Sequence, residues 1–473
     1  MKPKYKTLLS NTFLFSISSI GTRFLIFLLV PLYTYTLSRG EYGTIDLVVT
    51  TSSLLIPFIT LSIQDAILRY GLDKKSDTNS IIKSALIITF LGTLLLFLLI
   101  PLFNKLPYLS GNVNFLIIIT VLYSYRTVMS TYLKAINKIK IFVADSILFT
   151  LLLAISNILF LAVYQLGIEG YFYSMILSSF ISLVFIIIYG KVFNSIQIGH
   201  FNLRLTKAMI LFSTPMILNS VAWWINSYLD RFFLEYFLGA DFVGLYSIAY
   251  KIPSMMTAVT AVFIQAWSIS AITEYSQEEK KFFSNVLKYL ILSLFSLSII
   301  LITLSKFIMS IYVSPEFFAS WRYIPFLVVG SVFLTLSNFF GSIFIASKKS
   351  GEVMLTTFYS AVVNILLNYL LIPKFGIQGA VLATMISYFT VYIARVIMSR
   401  KIFKFNIDYK RTFVVMGLII SQSILITFEL FSDLVTIITM IGSFIVVIYI
   451  YKNILNELIH LIKNKTNKGE NNE

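Results

Sequence analysis

The sequence predicts an all-α integral membrane protein of about 14 transmembrane helices, built as two parallel-repeat six-helix lobes followed by two C-terminal helices. Three observations carry this. Of 473 residues 58% are hydrophobic and only 12% charged, with a mean hydropathy of +0.87, a composition that soluble domains do not have. Apolar stretches long enough to cross a hydrocarbon core of about 30 Å recur along nearly the whole length. Finally, early stretches resemble later ones at a nearly constant offset.

The first span is expected over 8–33; its apolar run is too long for a signal-peptide core and lacks a small-residue cleavage site. The next five fall at 43–66, 81–103, 113–136, 142–165 and 168–190, and complete an N-lobe over 1–200. Polar loops near 71–80 and 191–206 separate the second span from the third and the sixth from the seventh. Spans at 208–236, 242–268, 283–311, 323–346, 353–372 and 377–399 form a C-lobe over 201–402. The last two, 411–430 and 434–452, belong to a segment over 403–462, and 463–473 reads as a disordered cytoplasmic tail. Pro57, Pro253 and Pro325 fall inside expected spans and should kink them, because each removes an amide donor. No stretch is left for an appended catalytic domain. Zero cysteines remove disulfides, thiolate catalysis and Cys-ligated metals, and no cofactor is expected.

Charge placement tests the topology independently, since cytoplasmic loops hold an excess of Lys and Arg. With the N-terminus inside, 27 of the 37 basic residues fall on cytoplasmic segments, 5 on outer segments (Arg39, Lys105, Lys306, Arg322, Lys374) and 5 within spans. Both termini should therefore face the cytoplasm of a cell with this chain in its inner membrane. The net charge of +16 is a topology signal plus attraction to anionic lipid of the bilayer, and calls for no nucleic acid.

The repeat sharpens the picture. An ungapped shift of 201 aligns Thr12 with Ser213, Leu37 with Leu238, Gly43 with Gly244 and Gln64 with Gln265. A shift of 209 aligns Gly167-Ile168-Glu169-Gly170 with Gly376-Ile377-Gln378-Gly379. Six spans separate the copies, an even number, so the halves share one orientation.

Candidate site residues are the charges and polar stripes inside spans. Arg23 lies 17 positions after Lys6 and 16 before Arg39, near the bilayer centre, where a charge costs at least about 3 kcal/mol and marks the route of an anion or an ion. Arg126, Arg231 and Lys251 join it as candidate cations for a substrate cavity. Arg395, five positions from Arg400, is expected to snorkel to the cytoplasmic interface. Ser19 shares the Arg23 face, while Asn219, Trp223, Trp224, Asn226 and Tyr228 fall on adjoining faces of the seventh span and Asn364 on the eleventh, all expected as polar or aromatic cavity lining. Asp46, Asp65, Asp145 and Asp230 are candidates for protonation or for pairing the cations, Asp46 and Asp230 being the ion-coupling candidates, whereas Asp65 and Asp145, near inner ends, better suit a solvated structural role; Arg231, next to Asp230, suits a local ion-pair anchor as well as a cavity. Metal ligation is not expected.

The chain resembles the polysaccharide-repeat-unit flippases of the multidrug/oligosaccharidyl-lipid/polysaccharide (MOP) exporter superfamily. The resemblance is carried by Asn11 to Arg23 with Pro31 and Tyr33, by Arg39-Gly40-Glu41-Tyr42-Gly43, by Gln64-Asp65-Ala66 with Arg69-Tyr70-Gly71, and by Gly376-Ile377-Gln378-Gly379-Ala380. It implies the MOP flippase fold and an undecaprenyl-pyrophosphate-linked oligosaccharide as substrate, moved from the cytoplasmic to the outer leaflet for capsule or O-antigen type glycan assembly. It also implies partnership with a polysaccharide polymerase and chain-length machinery. A lipid II flippase shares the pyrophosphate carrier, and a drug-cation antiporter shares the architecture but calls for a site lined by carboxylates. A membrane glycan polymerase or acyltransferase would need a large outer loop or a membrane-embedded histidine; the two histidines, His200 and His460, fall at expected cytoplasmic positions, so the chain reads as a transporter rather than an enzyme.

Overall fold

The computed structural model describes residues 21–73, 76–273, 280–347, 349–402 and 409–452. Every regular element among them is helical. Among the described residues, eleven helices are long and apolar enough to cross a membrane, or up to 12 with one bent pair taken as a single span. A shorter apolar helix, Leu434–Ile450, follows at the position of the last expected span. The first expected span is described from residue 21, and the tail expected over 463–473 lies outside the described residues.

The chain packs as two units. The first holds the described residues up to Ile248 together with Tyr312–Phe317; the second holds Ala249–Ile311 and the described residues from Phe318 onward.

In the first unit, a helix over 21–28 passes a turn at Leu29 into α1 (Val30–Thr36). α2 (Arg39–Ile59) opens with a capping box, Ser38 accepting from the Glu41 amide while the Glu41 carboxylate takes the Ser38 amide. The helix expected to run on to residue 66 stops instead two residues after Pro57. Leu61 and Ser62 take positive φ, and α3 (Ile63–Gly71) restarts from them. α4 (Thr78–Leu98), α5 (Val113–Ala135), α6 (Ile139–Asn157), α7 (Gly167–Tyr189), α8 (Leu203–Leu238) and α9 (Ala240–Ala249, its last residue in the second unit) are the longer helices that follow. α8 is a continuous 36-residue helix, about 54 Å long, which exceeds a hydrocarbon core. The apolar core joins Ile63, Ala66 and Ile67 of α3 to Ile81, Ile82 and Ala85 of α4 and to Val128, Tyr132 and Leu133 of α5.

The second unit contains α10 (Lys251–Thr273), α11 (Lys280–Tyr312, its last residue in the first unit), α12 (Ile324–Ala346), α13 (Ser350–Phe375), α14 (Ile377–Ser399), α15 (Tyr409–Thr427) and α16 (Asp433–Ile450). α12 is buried on nearly every side, packed by α10, α13, α14 and α15. Pro325 stands in its first turn, where a missing amide leaves no hydrogen bond unmade, so it starts the helix instead of kinking it. Pro253 stands in the first turn of α10, just past a bend in the chain at Tyr250.

The repeat is visible in backbone detail. Gly167 (φ +56°) and Gly376 (φ +59°), 209 positions apart, both take left-handed geometry at the start of a helix. Side chains are disfavoured there, which is why glycine occupies both.

Arg395 departs from expectation. Only 1% exposed, it donates to Thr356 Oγ1 (3.1 Å), Thr357 Oγ1 (3.1 Å) and the Ser337 carbonyl (2.9 Å) instead of reaching an interface. Three acceptors from neighbouring helices replace the water that snorkelling would have sought.

Candidate functional site

Arg231 is the hub of a charge network in the first unit. Its place on α8 buries the guanidinium to 4% exposure and turns it toward α2, where it pairs with the Asp46 carboxylate. A second guanidinium nitrogen donates to the Ser227 carbonyl at 2.9 Å, and the rings of Tyr228 and Tyr246 lie 5.1 and 5.5 Å from its central carbon. Ser247 donates to the same Asp46 oxygen at 2.7 Å, and the Tyr246 hydroxyl donates to Asp230. Three residues read from sequence as a substrate cation and two ion-coupling carboxylates thus meet in one buried cluster. Chemically, Arg231 is already matched by an anion. It can bind a further one only if Asp46 is protonated or withdrawn, because a buried guanidinium holds its carboxylate by several kcal/mol.

Arg126 is likewise engaged. From α5 it reaches Asp145 of α6 at 2.9 Å, donates to Ser182 Oγ of α7 at 2.6 Å and lies 3.9 Å over the Phe149 ring. Asp145, expected in a solvated role, is fully buried, and the adjacent guanidinium is what makes that burial tolerable.

Arg23 differs from both. It is exposed, about 20 Å of helix before the end of α1 at Thr36, and has no hydrogen-bond or ion-pair partner among the described residues. Lys251, in the second unit, is half-buried at the first position of α10, directly after the bend. Its positive charge adds there to the partial positive charge of a helix N-terminus.

The remaining expected residues divide. Ser19 lies outside the described residues. Asn219 and Trp223 are half-buried on α8. Trp224 is buried, its indole donating to the Thr50 carbonyl at 2.9 Å, with the Tyr228 ring 6.4 Å away. Asn226 is buried and donates to Ala222 O at 3.0 Å. Asn364, expected at a cavity wall, is instead fully buried between α13 and α14, near Ser387 Oγ (3.4 Å) and accepting from Asn368 (3.0 Å).

Ser247, the repeat equivalent of Asp46 at the 201-residue shift, belongs to the polar stripe that the sequence places on the eighth span. Sequence reasoning missed Tyr246 and Ser182, and helical periodicity carries no mark of either.

A family model described as polysaccharide biosynthesis protein matches residues 8–268, and a second, MatE, matches 215–370. An uncharacterized membrane protein of Methanocaldococcus jannaschii is 27% identical over 237 residues, 46% of this chain and 45% of that protein. The probable low-salt glycan biosynthesis flippase of Haloferax volcanii is 26% identical over 191 residues, 38% of this chain and 39% of its own. The chain thus spans less than half the length of the curated relatives it matches. Among solved structures, the lipid II flippase MurJ in an inward closed conformation superposes with a TM-score of 0.71 at 16% identity, covering 94% of this chain and 100% of that one. That likeness establishes a shared fold, and the many long apolar helices make the chain a multi-pass membrane protein.

Proposed function

This chain belongs to the polysaccharide biosynthesis protein family, and from that premise we propose that it is a flippase. Its substrate in this reading is an undecaprenyl-pyrophosphate-linked oligosaccharide repeat unit, moved from the cytoplasmic to the outer leaflet of the cytoplasmic membrane by alternating access. The carrying observation is the contrast among the span arginines of the first unit. Arg126 and Arg231 are each matched by an aspartate, whereas Arg23 is exposed and has no carboxylate beside it among the described residues. A guanidinium at membrane depth without a counter-charge favours an anionic ligand, and a diphosphate offers it bidentate acceptors.

Division of labour follows. Arg23 meets the pyrophosphate, Lys251 is a further candidate cation within the second unit, the exposed and half-buried polar side chains meet sugar hydroxyls, and the polyprenyl chain stays in lipid. Asp46 and Asp230, clustered on Arg231, serve as the ion-coupling group, because protonating Asp46 would free the guanidinium and loosen the contact between α2 and α8. No bond is made or broken in the cargo. A polysaccharide polymerase and chain-length machinery are the partners expected to take up the product.

The test is to delete the gene, determine on which membrane face the lipid-linked repeat unit accumulates, and complement with Arg23→Ala and Lys251→Ala. Cytoplasmic-face accumulation with failed complementation is expected. Outer-face accumulation would assign a polymerase role instead.

A further inference from the structure

We propose that a small polar cavity between α10 and α12 is a subsite for one neutral pyranose ring of the cargo, which rests on the glycan-flippase reading above. The cavity, about 250 Å³, lies within the second unit and is lined by Thr257, Thr260, Gln265, Thr335 and Asn338, with Ala261, Ile264 and Leu334 as its apolar wall. It would hold roughly eight waters, the space of a single sugar ring.

Its chemistry is specific in two respects. Its lining carries no Asp, Glu, Lys or Arg, so no charge is there to meet an acidic or basic ligand. It also offers two carboxamides whose side chains take no partner among the described residues: Gln265, exposed, and Asn338, half-buried. The hydroxyls are otherwise occupied, Thr257 donating to the Ser254 carbonyl at 2.8 Å and Thr260 lying 3.2 Å from Thr335. Each amide presents two N–H donors and one acceptor, the set that brackets a vicinal diol.

The internal repeat supplies a contrast. Gln64 stands 201 positions before Gln265, yet its side-chain oxygen accepts from Thr60 at 3.2 Å. The first copy engages its glutamine with Thr60 across the break between α2 and α3, and the second leaves it open to the cavity. A sugar bound there would be selected by the layout of its hydroxyls, while the pyrophosphate cations select the carrier.

The experiment measures binding to the full chain in detergent micelles of three soluble probes: geranyl pyrophosphate, and the same molecule bearing glucose or glucuronic acid. Glucose should tighten binding to the wild type about 10-fold, the worth of one or two net hydrogen bonds. Gln265→Ala, at an exposed position that does not endanger folding, and Asn338→Ala should each erase about 3- to 10-fold of that gain and leave the sugar-free probe unaffected. The proposal is overturned if glucose gives the wild type no gain, if both variants keep the full gain, or if glucuronic acid binds better than glucose. Failure of the sugar-free probe to bind the wild type would remove the pyrophosphate reading itself, a result separable from the loss of a sugar-dependent increment.

Discussion

Ser247 donates a hydrogen bond to Asp46 at 2.7 Å, and the two stand 201 positions apart, at equivalent points of the internal repeat. Gly43 and Gly244, another pair at that spacing, face each other beside them: a Cβ on Gly43 would lie 3.0 Å from the Gly244 nitrogen. Residues that correspond under the 201-residue shift thus meet between α2 and α9. The joint is tight because each helix presents its own copy of the same small residue.

Adding a methyl to this joint should be costly. A Cβ at Gly43 would run into the Ala240 carbonyl and one at Gly244 into the Arg39 carbonyl, both backbone atoms that cannot rotate away. Gly43→Ala and Gly244→Ala are expected to destabilise the protein by about 1–3 kcal/mol. Gly442→Ala, where a Cβ meets nothing within 4 Å, should be neutral or stabilise by up to about 1 kcal/mol. Thermal unfolding in detergent of the three variants checks the ordering.

The buried Asp46–Arg231 pair predicts strong coupling. Asp46→Leu alone strands a guanidinium that is 4% exposed and should cost about 3–5 kcal/mol, whereas Asp46→Leu with Arg231→Met should recover most of that loss. A double-mutant cycle on unfolding midpoints measures it; additive losses would deny the pairing.

Arg126 and Asp145 should behave as a structural unit. Asp145→Ala is expected to destabilise by about 3–5 kcal/mol, because Arg126 keeps only Ser182 and the Phe149 ring. Arg126→Met with Asp145→Leu should fold and keep substantial transport. Loss of transport in a well-folded double variant would give Arg126 a direct part in binding.

Long apolar helices were legible in the sequence because a bilayer demands long apolar runs, and the 201-residue shift aligned two glycines, Gly43 and Gly244, that meet at a crossing. Charge partners were less so. Arg126 and Asp145 lie on successive helices 19 positions apart, and whether they meet depends on how each helix is rotated, which apolar composition does not encode. Arg395 was assigned to the nearer interface on distance alone; its three neutral acceptors come from two other helices, α12 and α13. The break after Pro57 was legible as a kink but not as a restart, since Leu61 and Ser62 carry no sequence mark of positive φ.

Outside the spans, Glu429 offers a pH test. Hydrogen bonds from Lys306 and from Arg322, at 2.8 and 2.9 Å, hold its carboxyl below the ordinary glutamate range. A depressed folded pKa means the contribution is fully present above the unfolded value of about 4.3 and is lost as pH falls through the folded one. The cluster is largely exposed, so its worth is below about 1 kcal/mol and salt-sensitive. Unfolding midpoints of wild type and Glu429→Gln should differ slightly at pH 7 and converge below about pH 4. A gap that widens on acidification would reverse the assigned sign.

The central claim is that Arg23 awaits an anionic cargo while the other two span arginines of the first unit are matched. Its most direct test is the rate at which the full chain, in proteoliposomes, moves a fluorescent undecaprenyl-pyrophosphate-linked oligosaccharide between leaflets. Arg23→Ala should lower that rate at least about 10-fold with an unchanged unfolding midpoint, and Arg23→Lys should restore part of it, since a lysine keeps the charge but loses the bidentate fork. Transport by Arg23→Ala at the wild-type rate would contradict the account.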